Sequence, residues 1–255
     1  MGLFGRKNKN TQFVLGNEKN KKTLHRNLEF TATEQYKLIR ANLDFTLPEN
    51  EMCPVIGVTS SMRGEGKSTT ALNLAYVFAE KGSKVLLIDG DLRIPSIAKK
   101  LDIENAPGLA DLLRGNGMQI SDIRSYLLDN WFILPSGYIP PNPSELLGSS
   151  RMGNLLNRLR AMYDYIILDL PPVNIVSDAV SVSGFISGMI VVIREEYTEK
   201  KELERCFRQL EMSNVNILGC VLNDAKFVHS SYGKYKRNKY YKYYNYRNSS
   251  KGAKK

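Results

Sequence analysis

Apolar residues along the chain fall into two patterns that alternate. Short runs rich in β-branched residues, at 55–59, 85–91, 131–134, 165–172, 188–192 and 216–222, have the length of buried strands. Between them lie segments whose apolar positions recur three and four residues apart, the period of an amphipathic helix. Leu72, Ala75, Tyr76 and Ala79 share one face of a helix opening at Lys67. Residues 101–117 read as a small helix between loops, and 151–162 and 198–212 as further helices. Residues 136–147 read as a proline-rich loop entering a helix capped at Ser144. Ahead of the first strand, 33–43 is helical, with Thr33 as N-cap and Tyr36, Ile39 and Leu43 on its apolar side. Strands alternating with helices predict an α/β fold, a single doubly wound and mostly parallel sheet without a second core.

The two ends fall outside this pattern. Residues 1–30 are polar, basic and asparagine-rich, without periodicity, and are expected to form a flexible arm. Residues 226–255 hold ten Lys/Arg, no Asp/Glu and seven of the fourteen tyrosines, and are expected to form a disordered tail. The net charge of +10 therefore belongs to that tail and not to the fold, which occupies 31–225. No apolar run approaches the roughly 18 residues of a membrane span. No secretory signal opens the sequence, and Arg6 stands where a myristoylation signal needs Ser or Thr. Cys53, Cys206 and Cys220 are odd in number and lack metal-ligand spacing, so reduced thiols in a cytoplasmic protein are expected.

The chemistry gathers at the ends of strands. Residues 55–68, VIGVTSSMRGEGKS, run from a strand through a glycine-rich loop into a helix. This is the context of a phosphate-binding loop, whose N–H groups and helix N-terminus point at phosphate oxygens. Ser61 stands where the strict G-x-x-x-x-G-K-[ST] spacing has its first glycine. Ser61, Arg63, Gly64, Glu65, Gly66, Lys67, Ser68 and Thr69 are the expected nucleotide contacts. Lys67 would reach the β/γ-phosphates of ATP, and Ser68 would ligate Mg²⁺. VLLIDGD ends in Asp89 and Asp91, which would share one side if the strand persists through Gly90. YIILD ends in Asp169, four apolar residues and a carboxylate as in a Walker B strand. Ligands bind off the carboxyl ends of parallel strands, so these acids should face the loop. Mg²⁺ would be held by Ser68, Asp89 and Asp169, and Asp91, with Asp89 as the alternative, would orient or deprotonate an acceptor hydroxyl. In the first helix, Glu34, Lys37 and Arg40 recur every third residue, which by spacing alone describes a solvated charged face.

These motifs together resemble the bacterial tyrosine kinases (BY-kinases) of capsular and exopolysaccharide systems, within the P-loop NTPase superfamily. The resemblance rests on GEGKST, LLIDGDLR, IILDLPP, PPNPSELL, the Asp178-Ala179 pair and the tail tyrosines. Glu34, Lys37 and Arg40 are similar to the family's E-x-x-R-x-x-R oligomer motif, with lysine at its second position. The resemblance implies an ATP- and Mg²⁺-dependent tyrosine autokinase acting in trans within a homo-oligomeric ring, an octamer. Its acceptors would be Tyr232, Tyr235, Tyr240, Tyr241, Tyr243, Tyr244 and Tyr246. It implies a transmembrane activator or adaptor, recruitment from the cytoplasm to the inner face of the plasma membrane, and a cognate tyrosine phosphatase. Control of capsular or exopolysaccharide synthesis or export is the implied role, with no dedicated nucleic-acid partner. Two other readings remain open on the residues. A ParA/MinD-like positioning ATPase shares the sheet and loop but carries a signature lysine where Met62 stands here. A basic aromatic tail could alternatively grip nucleic acid or an anionic surface.

Overall fold

The structure, a computed structural model, describes Leu24, residues 27–47 and residues 51–226. The chain divides into two units, Met1–Asn223 and Asp224–Lys255, and the first holds every strand and helix described below. The expected tail lies outside the described residues from 227 onward, as does most of the expected arm.

Seven strands form one sheet. They are β1 (Val55–Ser60), β2 (Val85–Asp89), β3 (Arg124–Tyr126), β4 (Leu128–Leu134), β5 (Tyr165–Asp169), β6 (Gly188–Arg194) and β7 (Ile217–Asn223), in the order β3-β4-β2-β5-β1-β6-β7. Every pairing is parallel except β3 with β4. Parallel strands need covered crossovers and are buried on both faces, which is why they read as continuous apolar runs.

Alternate side chains of each strand feed two separate cores. Val85 and Leu87 of β2, Ile56 and Val58 of β1 and Trp131 of β4 pack on one face. That face is covered by α1 (Phe30–Thr46), α2 (Lys67–Glu80) and α3 (Ile97–Leu101), through Leu43, Leu72, Phe78 and Ile97. Leu86 and Ile88, with Ile166 and Leu168 of β5, pack on the other. The helices there are α4 (Leu109–Arg114), α6 (Ser150–Arg160) and α7 (Lys200–Met212), contributing Leu109, Leu156 and Leu210. Burying each such leucine contributes about 1.5–3 kcal/mol.

Several local expectations shift. The helix expected to begin at Thr33 begins at Phe30 with Glu29 as N-cap, and Thr33 Oγ1 donates back to the Glu29 carbonyl. Leu24, inside the expected arm, is buried in the core beneath α1 and α2. The small helix expected between loops at 101–117 is α4, and α3 ends where that stretch begins, at Leu101. Helix α5 (Pro143–Leu147) is capped by Asn142 and not by Ser144, with Pro143 in the first turn, where its missing N–H costs nothing. The edge strand β3 carries no apolar run (RSY) and leaves no trace in the hydropathy pattern. The strand at Asp89 ends there and does not persist through Gly90, a change that matters at the site.

Candidate active site

Parallel register brings the carboxyl ends of β1, β2 and β5 together. Val58 pairs with Asp169, and Asp89 pairs with the same Asp169. β1 runs on into the loop at 61–66, and α2 rises from it. Gly64 (φ +84°) and Gly66 (φ +100°) adopt left-handed backbone that other residues reach only with strain. A Cβ on Gly66 would also collide with the Asn223 side-chain amide.

The loop is held from behind. The buried Glu65 carboxylate accepts from Ser61 Oγ (2.7 Å), Met62 N (2.9 Å) and Thr198 Oγ1 (2.6 Å). Asn223 Nδ2 donates to the Glu65 carbonyl (3.0 Å), Tyr197 Oη to the Arg63 carbonyl (3.1 Å), and Arg194 Nη1 to the Gly64 carbonyl (3.3 Å). Ser61 and Glu65, expected to touch nucleotide, therefore turn their side chains into this brace and away from the cleft. Arg63, Gly64, Gly66, Lys67, Ser68 and Thr69 do line the cleft, a cavity of about 390 Å³ that Asp91 and Lys100 also border.

Lys67 sits at its centre. Its Nζ donates to Asp91 Oδ2 at 3.0 Å, Ser68 Oγ at 3.2 Å and Asp169 Oδ1 at 3.4 Å. Burial opposes the ammonium charge, but Asp169 and then Asp91 more than restore it, holding Lys67 above the ordinary lysine range. Asp89 is placed differently. Because the strand stops at Asp89, its carboxylate faces the chain that follows and accepts from Asp91 N (3.2 Å), Ser96 N (3.0 Å) and Ile97 N (2.9 Å). It anchors the start of α3, while Asp91, beyond the strand, meets Lys67. Burial, reinforced by Asp169 alongside, pushes Asp89 up to about 7. Asp169 is raised as well, by burial first, with Lys67 and the Ser68 hydroxyl opposing.

Magnesium fits these residues. Asp169 Oδ2 is buried and without a hydrogen-bond partner, and Ser68 bonds the same carboxylate. A hard oxygen pair beside a phosphate loop is what Mg²⁺ uses, since it binds one or two carboxylates together with phosphates and waters. No group of three or more His, Cys, Asp or Glu that could hold a metal occurs among the described residues.

Three features depend on contacts that residue spacing does not show. Lys100 Nζ reaches Thr69 Oγ1 at 3.2 Å. Arg93 donates to both oxygens of the fully buried Asp178 (2.9 and 3.0 Å), and Ser144 Oγ donates to the same carboxylate, joining three motifs distant in sequence. The brace from Arg194, Tyr197 and Thr198 is the third. On α1, Glu34 and Lys37 pair at 3.1 Å on the outer side, whereas Arg40 turns inward and donates to the Val77 carbonyl. Six residues along a helix rotate a side chain by roughly 120° from its starting face, which places Arg40 toward α2. Cys53 and Cys206 are buried, and burial pushes both thiols up to about 12.

A strand–loop–helix of this geometry, with acids at the ends of neighbouring parallel strands, defines the nucleotide-binding fold of P-loop NTPases. The AAA domain family matches residues 53–210. Tyrosine-protein kinase YwqD of Bacillus subtilis (strain 168) is 40% identical over 204 residues, which cover 80% of this chain and 86% of that protein. The crystal structure of the chimerical protein CapA2B2 superposes with a TM-score of 0.75 at 34% identity, over 81% of this chain and 90% of that one. The septum site-determining protein MinD of Pyrococcus horikoshii OT3, complexed with Mg-ADP, is more distant, with a TM-score of 0.57 at 26% identity over 70% and 72% of the two chains. The chain belongs to the bacterial tyrosine-protein kinases of the P-loop class, and its likeness to MinD is a more distant one. No helix among the described residues is long and apolar enough to cross a membrane.

Proposed function

We propose that this tyrosine kinase is an ATP- and Mg²⁺-dependent autokinase whose acceptors are Tyr232, Tyr235, Tyr240, Tyr241, Tyr243, Tyr244 and Tyr246 on a neighbouring copy. The observation that carries the reading is the Lys67–Asp91 contact at the mouth of a phosphate loop. Entry of ATP offers Lys67 a stronger anion than Asp91. Lys67 then neutralises charge on the β/γ-phosphates, and Asp91 is released beside the transferring group. A phenol has a pKa of about 10, so Asp91 acts by taking the proton as the phenol oxygen bonds the γ-phosphorus and the bond to the departing ADP breaks, not by ionising tyrosine beforehand. Ser68 and Asp169 would hold Mg²⁺, which when bound would supply further charge neutralisation on the phosphates. Asp89 serves by fixing α3.

Assembly into a ring would use the outer face of α1, where Glu34 and Lys37 lie beside the exposed Leu38 and Phe45. A transmembrane adaptor would recruit and activate the ring at the inner face of the membrane, and a phosphatase would reset it. Each phosphotyrosine adds roughly −1.5 to −2 charges, so about five or six offset the tail's basic charge. That charge change would switch the tail's contacts and thereby control capsular or exopolysaccharide synthesis.

A mixing experiment tests the reading. A Lys67→Met chain with an intact tail is incubated with Mg-ATP and an active chain lacking 227–255. Phosphotyrosine on the Lys67→Met chain supports transfer between copies. Its absence, with the full-length active chain still labelling itself, overturns the trans reading.

A further inference from the structure

We propose that Lys100 is a second phosphate-binding cation of this site, holding the nucleotide's phosphate chain at the Thr69 end of the loop. The proposal rests on the nucleotide-binding reading of the cleft and assigns it a residue from outside the loop.

Helix α3 is set by three fixed points. Asp89 accepts from Ser96 N and Ile97 N at its start, and Ile97 and Leu101 are buried in the core it shares with α2. With both ends pinned, Lys99 points outward and Lys100 lies along the cleft wall. Its Nζ donates to Thr69 Oγ1 at 3.2 Å, one residue beyond Ser68 on the first turn of α2. No carboxylate lies within ion-pair distance of Lys100 among the described residues, whereas Lys67, across the same cavity, has two.

Burial and the nearby Lys67 charge pull Lys100 below the ordinary lysine range, with Asp169 partly opposing. Two ammonium groups facing one cavity, one of them paired only with a hydroxyl, are relieved when an anion enters between them. A phosphate chain is such an anion. Two of the three ammonium protons of Lys100 remain for it after the Thr69 contact.

The test is calorimetric titration of the whole chain with Mg-ADP at one fixed ionic strength. Lys100→Ala is expected to weaken binding about tenfold or more, the scale of one lost hydrogen bond to a charged group. Lys100→Arg should recover part of the loss, and Lys99→Ala, which removes an equal charge from the outer side of α3, should leave affinity unchanged. A contact made equally in ground and transition states raises KM for ATP more than it lowers kcat. Thermal melts of each variant establish that the fold is retained. Unchanged ADP affinity in Lys100→Ala, or equal losses in Lys99→Ala and Lys100→Ala, overturns the proposal. So does a fall in kcat alone, which would place Lys100 on the transferring group. If the unaltered chain itself binds no Mg-ADP, the nucleotide-binding reading fails, and this inference fails with it.

Discussion

Lys67 Nζ lies 3.0 Å from Asp91 Oδ2, so the ammonium of the phosphate loop and the carboxylate just beyond β2 neutralise each other. On the proposed function, nucleotide binding has to break that contact. Asp91→Asn should therefore lower phosphotransfer by about 10²–10⁴-fold, the usual contribution of a positioned general base. It should leave Mg-ADP affinity unchanged or improved, because Lys67 is released in advance. Single-turnover transfer and ADP calorimetry on the same preparation check this. A parallel loss in both would mean that Asp91 binds nucleotide and has no separate part in transfer.

Asp89 calls for the opposite pattern. Its carboxylate receives three backbone N–H groups, at Asp91, Ser96 and Ile97, all of which lose their partner in Asp89→Ala. The expected cost is about 1–3 kcal/mol of stability, read as a lower urea midpoint with an unchanged slope. An unchanged midpoint with lost transfer would instead make Asp89 the base.

The same residue sets a pH dependence. The Asp89 carboxyl ionises near 3.8 in an unfolded chain and is pushed up to about 7 in the fold, by burial first and by Asp169 second. A raised carboxyl favours the protonated folded state. Its contribution to stability is complete below the unfolded value and is lost as pH rises through about 7. The melting temperature of the protein without nucleotide should fall between about pH 4 and about pH 7, and fall less in Asp89→Asn. Parallel profiles for the two proteins would contradict this.

The alternation of strands and helices was legible because parallel strands buried on both faces show as unbroken apolar runs. The loop at 61–66 was legible because its glycines and Lys67 are fixed by spacing. The different surroundings of Asp89 and Asp91 were not, since they depend on the strand ending one residue earlier than period-two reasoning needs. Glu65 reads as a loop contact in sequence, and only the approach of Thr198 and Asn223 from 133 and 158 residues away shows that it faces backward. Lys100 sits on a five-residue helix too short to announce a face.

Arg93, Ser144 and Asp178 show the same dependence on long-range contact. Asp178 is fully buried, and Arg93 is its cationic partner. Removing one member of a buried pair leaves the other uncompensated, at about 3–5 kcal/mol when both are buried. Arg93 is partly exposed, so Arg93→Ala should cost less, about 1–3 kcal/mol. Ser144→Ala should cost less again, since Asp178 keeps both of its arginine bonds. Guanidinium unfolding midpoints rank the three proteins, and an Arg93→Ala protein as stable as the parent would show that the contact contributes nothing to the fold.

The most direct measurement of the central claim is a phosphotyrosine map. The purified chain and its Lys67→Met variant are incubated with Mg-ATP, alone and with the cytoplasmic segment of a candidate membrane activator, and every tyrosine is scored by mass spectrometry. The account predicts phosphate within Tyr232–Tyr246, absent in Lys67→Met. ATP consumed with no phosphotyrosine under either condition would contradict it.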